Sequence, residues 1–182
     1  MNSIDDYGCR SCTRLADAIF LGNAPAMGSQ VFDSVASGFK VGFFNGKSGF
    51  TAPTWNGYPA VNMGDPTPTA TWLVANGLAH NADLRSDPNG DGVSLLMAYA
   101  LNLDPNRNLV ASMPKPALAG NQMSLTFYAG TVDVTYAVES STDLQHWSTN
   151  GVTVSGPDGN HIRTATIPTT DTSRFRRLVV SH

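Results

Sequence analysis

One stretch constrains this chain more than any other: Asp87-Pro88-Asn89-Gly90-Asp91-Gly92-Val93-Ser94. Oxygen-bearing side chains recur at every second position, and glycines supply the tight turn between them. An unbroken apolar run, Leu95 to Leu101, follows at once. Such a loop places oxygen ligands at positions 1, 3 and 5, glycine at 6 and a backbone carbonyl at 7. Counted from Asp87, these are Asp87, Asn89, Asp91, Gly92 and the carbonyl of Val93. The bidentate acid expected at position 12 is replaced by Ala98, and position 9 is Leu95. Asp83 or Asp104 could substitute as ligands. Two readings stay open: a weak calcium site held by Asp87, Asn89, Asp91 and Val93, or a metal-free turn whose Asp and Asn bond their own backbone.

The apolar run has almost no polar face. A helix over Val93 to Leu101 must therefore be buried on more than one side. Upstream, Asp65-Pro66-Thr67-Pro68-Thr69 reads as a hinge whose threonines offer a helix cap. A short helix follows over 71–78, stopped at Gly77. These elements make residues 65–110 a helical connector built around the loop.

Before the connector, Leu15 to Leu21 and Phe39 to Phe44 read as short strands, with one helical turn between them at Gln30 to Val35. Strands at a ~20–25-residue interval suggest a leucine-rich type of repeat. After the connector the pattern changes. Residues 123–128 and 134–140 alternate apolar and polar, as half-buried strands do. Residues 152–155 and 162–167 flank a hairpin signal at Gly156 to Asn160, and 175–180 form a last strand. Five strands here predict a small antiparallel β-sandwich over 111–182. The expected class is thus α+β and mostly β.

Composition narrows the function. The chain has 182 residues, a net charge of −3 and only 14% charged residues, against ~25% in average proteins. No basic stripe is present, so nucleic acid is not an expected partner. No apolar run approaches the ~18 residues of a membrane helix. No nucleophile elbow, phosphate loop or paired-carboxylate signature is present, and no catalytic residue or catalytic cofactor is assigned. Cys9 and Cys12 form a lone C-x-x-C with no second pair and no histidine to complete a metal set, so both are expected as small buried apolar groups. Glu139 and Asp143 read as a strand-face charge and a turn cap. Trp147 reads as a core residue.

Two family resemblances sharpen this reading. Ile4-Asp5-Asp6-Tyr7-Gly8-Cys9-Arg10-Ser11-Cys12-Thr13-Arg14-Leu15, with Phe20 to Pro25 and Gly49 to Pro59, resembles the last repeat and cap of a BspA-type leucine-rich repeat. Asp5, Cys9 and Ser11 stand where that repeat has Gly, Phe and Gly. This resemblance implies that residues 1–64 are the terminal repeat and cap of a longer solenoid, with upstream repeats as partners. Asp87 to Ser94, Tyr99 to Pro105, Val138 to Trp147 and Arg174 to Val180 are similar to a C-terminal module of large secreted bacterial proteins, akin to dockerin and thrombospondin type 3 calcium loops. It implies calcium as the ion, a secreted or cell-surface location and a non-enzymatic, structural role. The alternative is a module that binds a glycan or a protein through the β domain or the solenoid surface. Exposure of Trp55, Tyr58 or Trp147 would favour that alternative.

Overall fold

The computed structural model describes residues 2–169 and 174–182. The chain is mostly β and divides into two compact units, Met1–His80 and Asn81–His182. The division falls inside the 65–110 connector. The first helix belongs with the first unit, and the Asp87 loop with its helix belongs with the second.

The first unit is a stack of chain turns, the first two related by a 23-residue offset. Strand β1 (Ser3–Ile4) and β2 (Asp17–Phe20) form one turn, and β3 (Ala26–Met27) and β4 (Lys40–Phe43) form the next. They pair in parallel, Ser3 with Ala26 and Asp17 with Lys40. Each pair is 23 residues apart, as is the bond from the Ser29 amide to Asp6 Oδ1. Backbone shape repeats at the same offset: Tyr7 and Gln30 have φ of 60° and 53°, and Ser11 and Ser34 have 60° and 57°. Charges stack likewise, Arg10 on Asp33 and Lys40 on Asp17. The helical turn expected at Gln30 to Val35 is instead a series of hydrogen-bonded turns, because left-handed residues at both 30 and 34 interrupt any α-helical run.

The parallel stack ends at one side. Strand β6 (Tyr58–Asn62) pairs in parallel with β4, but β5 (Thr54–Trp55) runs antiparallel to β6. Asn56 and Gly57 both take positive φ between them, the geometry of a two-residue hairpin. The sheet order is β2-β4-β6-β5, so β2 forms the other edge. Val31, Phe32, Phe39, Val41, Phe43, Trp55 and Ala60 form the core, with Phe43 stacked on Phe50 at 4.9 Å. Cys9 packs on this core, whereas Cys12 is exposed rather than inward-facing; neither is in a disulfide. Helix α1 (Pro68–Ala75) starts three residues earlier than the pattern suggests. Thr67 Oγ1 accepts the Ala70 amide, and Pro68 occupies the first turn, where its missing N–H costs nothing.

Among the described residues the second unit has one short α-helix, a 3-10 turn at Val110–Ser112 and two antiparallel sheets. Helix α2 (Leu95–Ala100) is capped by Ser94, whose Oγ accepts the Met97 amide. Strands β7 (Pro116–Ala119), β8 (Gln122–Tyr128), β10 (Thr153–Val154) and β11 (Ile162–Pro168) make one sheet, in the order β10-β11-β8-β7. The other pairs β9 (Thr135–Ser141) with β12 (Phe175–Ser181). All five expected strands form. The sixth, β7, escapes pattern reading because every residue in it is exposed. Leu125 and Phe127 of one sheet, Val138 of the other and Leu101 after α2 share one core. The apolar helix is buried as its composition demands: Leu95, Ala98, Tyr99 and Ala100 are at most 4% exposed.

Candidate functional site

The Asp87 loop is built from its own backbone donors. Asp87 Oδ1 accepts the amides of Gly90 and Asp91, and Oδ2 accepts that of Gly92 at 2.7 Å. Asn89 Oδ1 accepts the Asp91 amide. Asp91 Oδ1 accepts Val93 N–H, and its Oδ2 accepts Leu109 N–H at 2.6 Å. The Leu109 bond is the chief cause of an Asp91 pKa below the usual carboxylate value. Asn89 Nδ2 donates to the carbonyls of Pro105 and Arg107. The loop thus sews itself to the segment that follows α2, from Pro105 to Leu109. Sequence spacing placed Asp87, Asn89 and Asp91 together but could not find these downstream partners, which are main-chain groups and carry no residue signature.

As a metal centre this donor set is short. Calcium takes 6–8 oxygens. Asp87, Asn89, Asp91 and the Val93 carbonyl are four residues, and the oxygens of all three side chains already accept amide protons. Ala98, at position 12, is 1% exposed within the core. Asp83 accepts the Arg85 amide, and Asp104 accepts the Asn106 amide and pairs with Arg107. Both therefore serve their own turns. Among the described residues no group of three His, Cys, Asp or Glu is placed to hold a metal ion. By single-oxygen contacts these four residues alone fall short of a full calcium shell.

A second constellation lies on the β12-β9 sheet. Arg177 pairs with Glu139 at 2.7 Å, and its guanidinium stacks 4.4 Å from the Trp147 ring. Nearby, Asp143 Oδ1 accepts the amides of Gln145 and His146, and Oδ2 meets His146 Nδ1 at 2.7 Å. That histidine holds the Asp143 carboxyl far below its usual range, and the carboxylate in turn raises the His146 pKa. Glu139 and Asp143 are thus a strand-face charge and a turn cap, with separate partners. Arg176 points the other way, as alternation requires, and donates to the Met123 and Ala165 carbonyls.

The three aromatics of interest separate. Trp55 is 5% exposed and donates Nε1–H to the Gly49 carbonyl. Tyr58 is half-buried against Phe32 and Phe39. Trp147 is half-buried and borders a cavity of about 490 Å³, together with Met97, Met113, Met123, Leu144 and Phe175. No helix among the described residues is long and apolar enough to cross a membrane. No family model, curated protein or solved structure matches the chain.

Proposed function

We propose that this chain is a non-catalytic, structural region of a modular secreted or cell-surface protein. In this reading residues 1–64 are the terminal repeat and cap of a leucine-rich-repeat solenoid, 65–110 a connector with an EF-hand-like loop, and 111–182 a β-sandwich. The asymmetry of the first unit's sheet carries the proposal. One edge ends in an antiparallel hairpin, β5-β6, which cannot continue a parallel stack. The other edge is β2, and its turn of chain is more exposed where the next turn is buried. At the 23-residue offset Cys9, Ala18 and Phe20 are partly exposed, while Phe32, Val41 and Phe43 are 3%, 0% and 6% exposed. A face of this shape accepts another turn of the same period, supplied by an upstream repeat. The test lengthens the chain ahead of β1 by repeats of 23-residue period. Amides of β2 should then exchange more slowly with solvent and the first unit should melt higher. Unchanged exchange in β2 would overturn the cap reading.

In the same proposal the Asp87 loop is a tie to Pro105–Leu109 rather than a sensor. Melting of the full chain should be insensitive to millimolar calcium, since only an ion that binds the folded state raises the midpoint. A rise that saturates would instead make calcium its ligand. A second reading, a glycan- or protein-binding module, draws on the Trp147 cavity. Quenching of Trp147 fluorescence by a ligand would move the assignment toward it.

A further inference from the structure

The inward face of the second unit carries a charge that its core does not account for. Arg163 is the only charged residue of β11, and strand alternation puts it on the same face as Ala165 and Ile167, both 0% exposed. Its cross-strand neighbour is Phe127, 3% exposed. The Nε of Arg163 is buried and has no hydrogen-bond partner among the described residues. Among the described residues no carboxylate pairs with the guanidinium. A half-buried cation without a counter-charge is costly to keep.

Arg163 opens onto a cavity of about 460 Å³ at the end of the sheet. Gly130, Thr131, Thr135, Tyr136 and His161 also border it, and among the described residues no Asp or Glu does. The lining is fixed in place. The Tyr136 hydroxyl donates to the Ala100 carbonyl at 2.6 Å and accepts Thr131 N–H, so it is held and already used. The His161 ring lies edge-on to Tyr128 at 6.1 Å. Gly130 lets both close in, since a Cβ there would sit 2.6 Å from His161 and 2.7 Å from the Tyr128 hydroxyl. The cavity therefore combines one uncompensated guanidinium with an imidazole and a phenol at its rim. A guanidinium fork suits a planar or tetrahedral oxyanion, which it can hold through two parallel N–H donors.

We propose that this cavity is a binding site for an oxyanion, a phosphate, sulfate or carboxylate group, with Arg163 as its cation. The site is independent of the solenoid-cap reading, because it lies wholly within the second unit. The experiment melts the full chain in phosphate, sulfate, acetate and chloride at matched pH and ionic strength. At least one oxyanion should raise the midpoint of the wild-type second unit above that in chloride, and the most effective arm separates phosphate and sulfate from carboxylate. Arg163→Met should lose that increment while melting no lower in chloride, because it removes an uncompensated charge. Arg163→Lys should keep part of it. An equal increment in Arg163→Met would show a general salt effect and overturn the proposal, as would no increment in the wild type. Should Arg163→Met fail to fold, amide shifts of the wild type decide. Saturable movement of Gly130 and His161 signals on adding phosphate or acetate supports the site, and unmoved signals overturn it.

Discussion

Gly28 shows at the scale of one residue why the first unit stacks as tightly as it does. A Cβ at this position would lie 2.4 Å from the Asp6 amide nitrogen, which is backbone and cannot swing aside. The Gly28 amide also donates to the Ile4 carbonyl at 2.8 Å. Gly28→Ala must therefore push the two chain turns apart. It should cost about 1–3 kcal/mol in urea unfolding followed in the first unit. His146 makes a second residue-scale case. Asp143 raises its folded pKa above the ordinary 6.5. The stabilisation from the charged pair is complete below the unfolded value and is lost as pH rises through the raised folded value. A proton NMR titration of the ring should report a midpoint above 6.5 in the wild type and a return toward 6.5 in Asp143→Asn. A midpoint that does not fall in the variant would mean that the 2.7 Å contact is absent in solution. Cys9 and Cys12 show the limit of reading residues alone. The pair is expected inside together, yet Cys12 sits on a turn facing solvent because the backbone reverses at Ser11, with φ of 60°.

Elements form here where local chemistry and packing agree. Helix α2 has only six residues, too few to stand alone in water. Its stability comes from burial of Leu95, Ala98, Tyr99 and Ala100, and from groups that satisfy its ends. Ser94 caps the start, and the Thr131 and Tyr136 hydroxyls bond the Tyr99 and Ala100 carbonyls at the finish. Ser94→Ala should lower the stability of the second unit by about 1 kcal/mol, read from its denaturant midpoint. Strand elements differ in how visible they are. Residues 123–128, 134–140 and 162–167 alternate and were readable to within a residue or two of β8, β9 and β11. Two-residue strands such as β1, β3 and β5 have no period to detect. The Asn56-Gly57 pair, whose hairpin chemistry the strand reading over 1–64 did not use, carries the geometry that ends the parallel stack.

For the whole molecule the useful division is between a periodic unit and a two-sheet unit. The first is held by repetition: 23-residue pairs recur in backbone ladders, left-handed residues and stacked charges. The exposed ion pairs among them add little individually, so the aromatic core must supply most of the stability. That core gathers Phe20, Phe43, Phe50 and Trp55 with ring centroids 4.9 to 5.7 Å apart. The second unit is held by two sheets facing one core, with Arg176 reaching from β12 to carbonyls of β8 and β11. The connector expected over 65–110 is shared between the units: α1 belongs to the first and α2 to the second.

The sequence by itself determined the mostly-β class, the change of pattern on either side of the Asp87 loop, the five strands of the second unit and the burial of α2. Each is a local property: alternation, turn chemistry or an all-apolar run. Tertiary structure alone decided the rest. The 23-residue register depends on which distant main-chain groups meet. The partners of Asn89 and Asp91 are backbone atoms 16 to 18 residues away. The inward placement of Arg163 emerges only when β11 meets β8 and alternation acquires an inside. Residue identity sets what a side chain can do, but only the packed fold sets which side it faces and what it finds there.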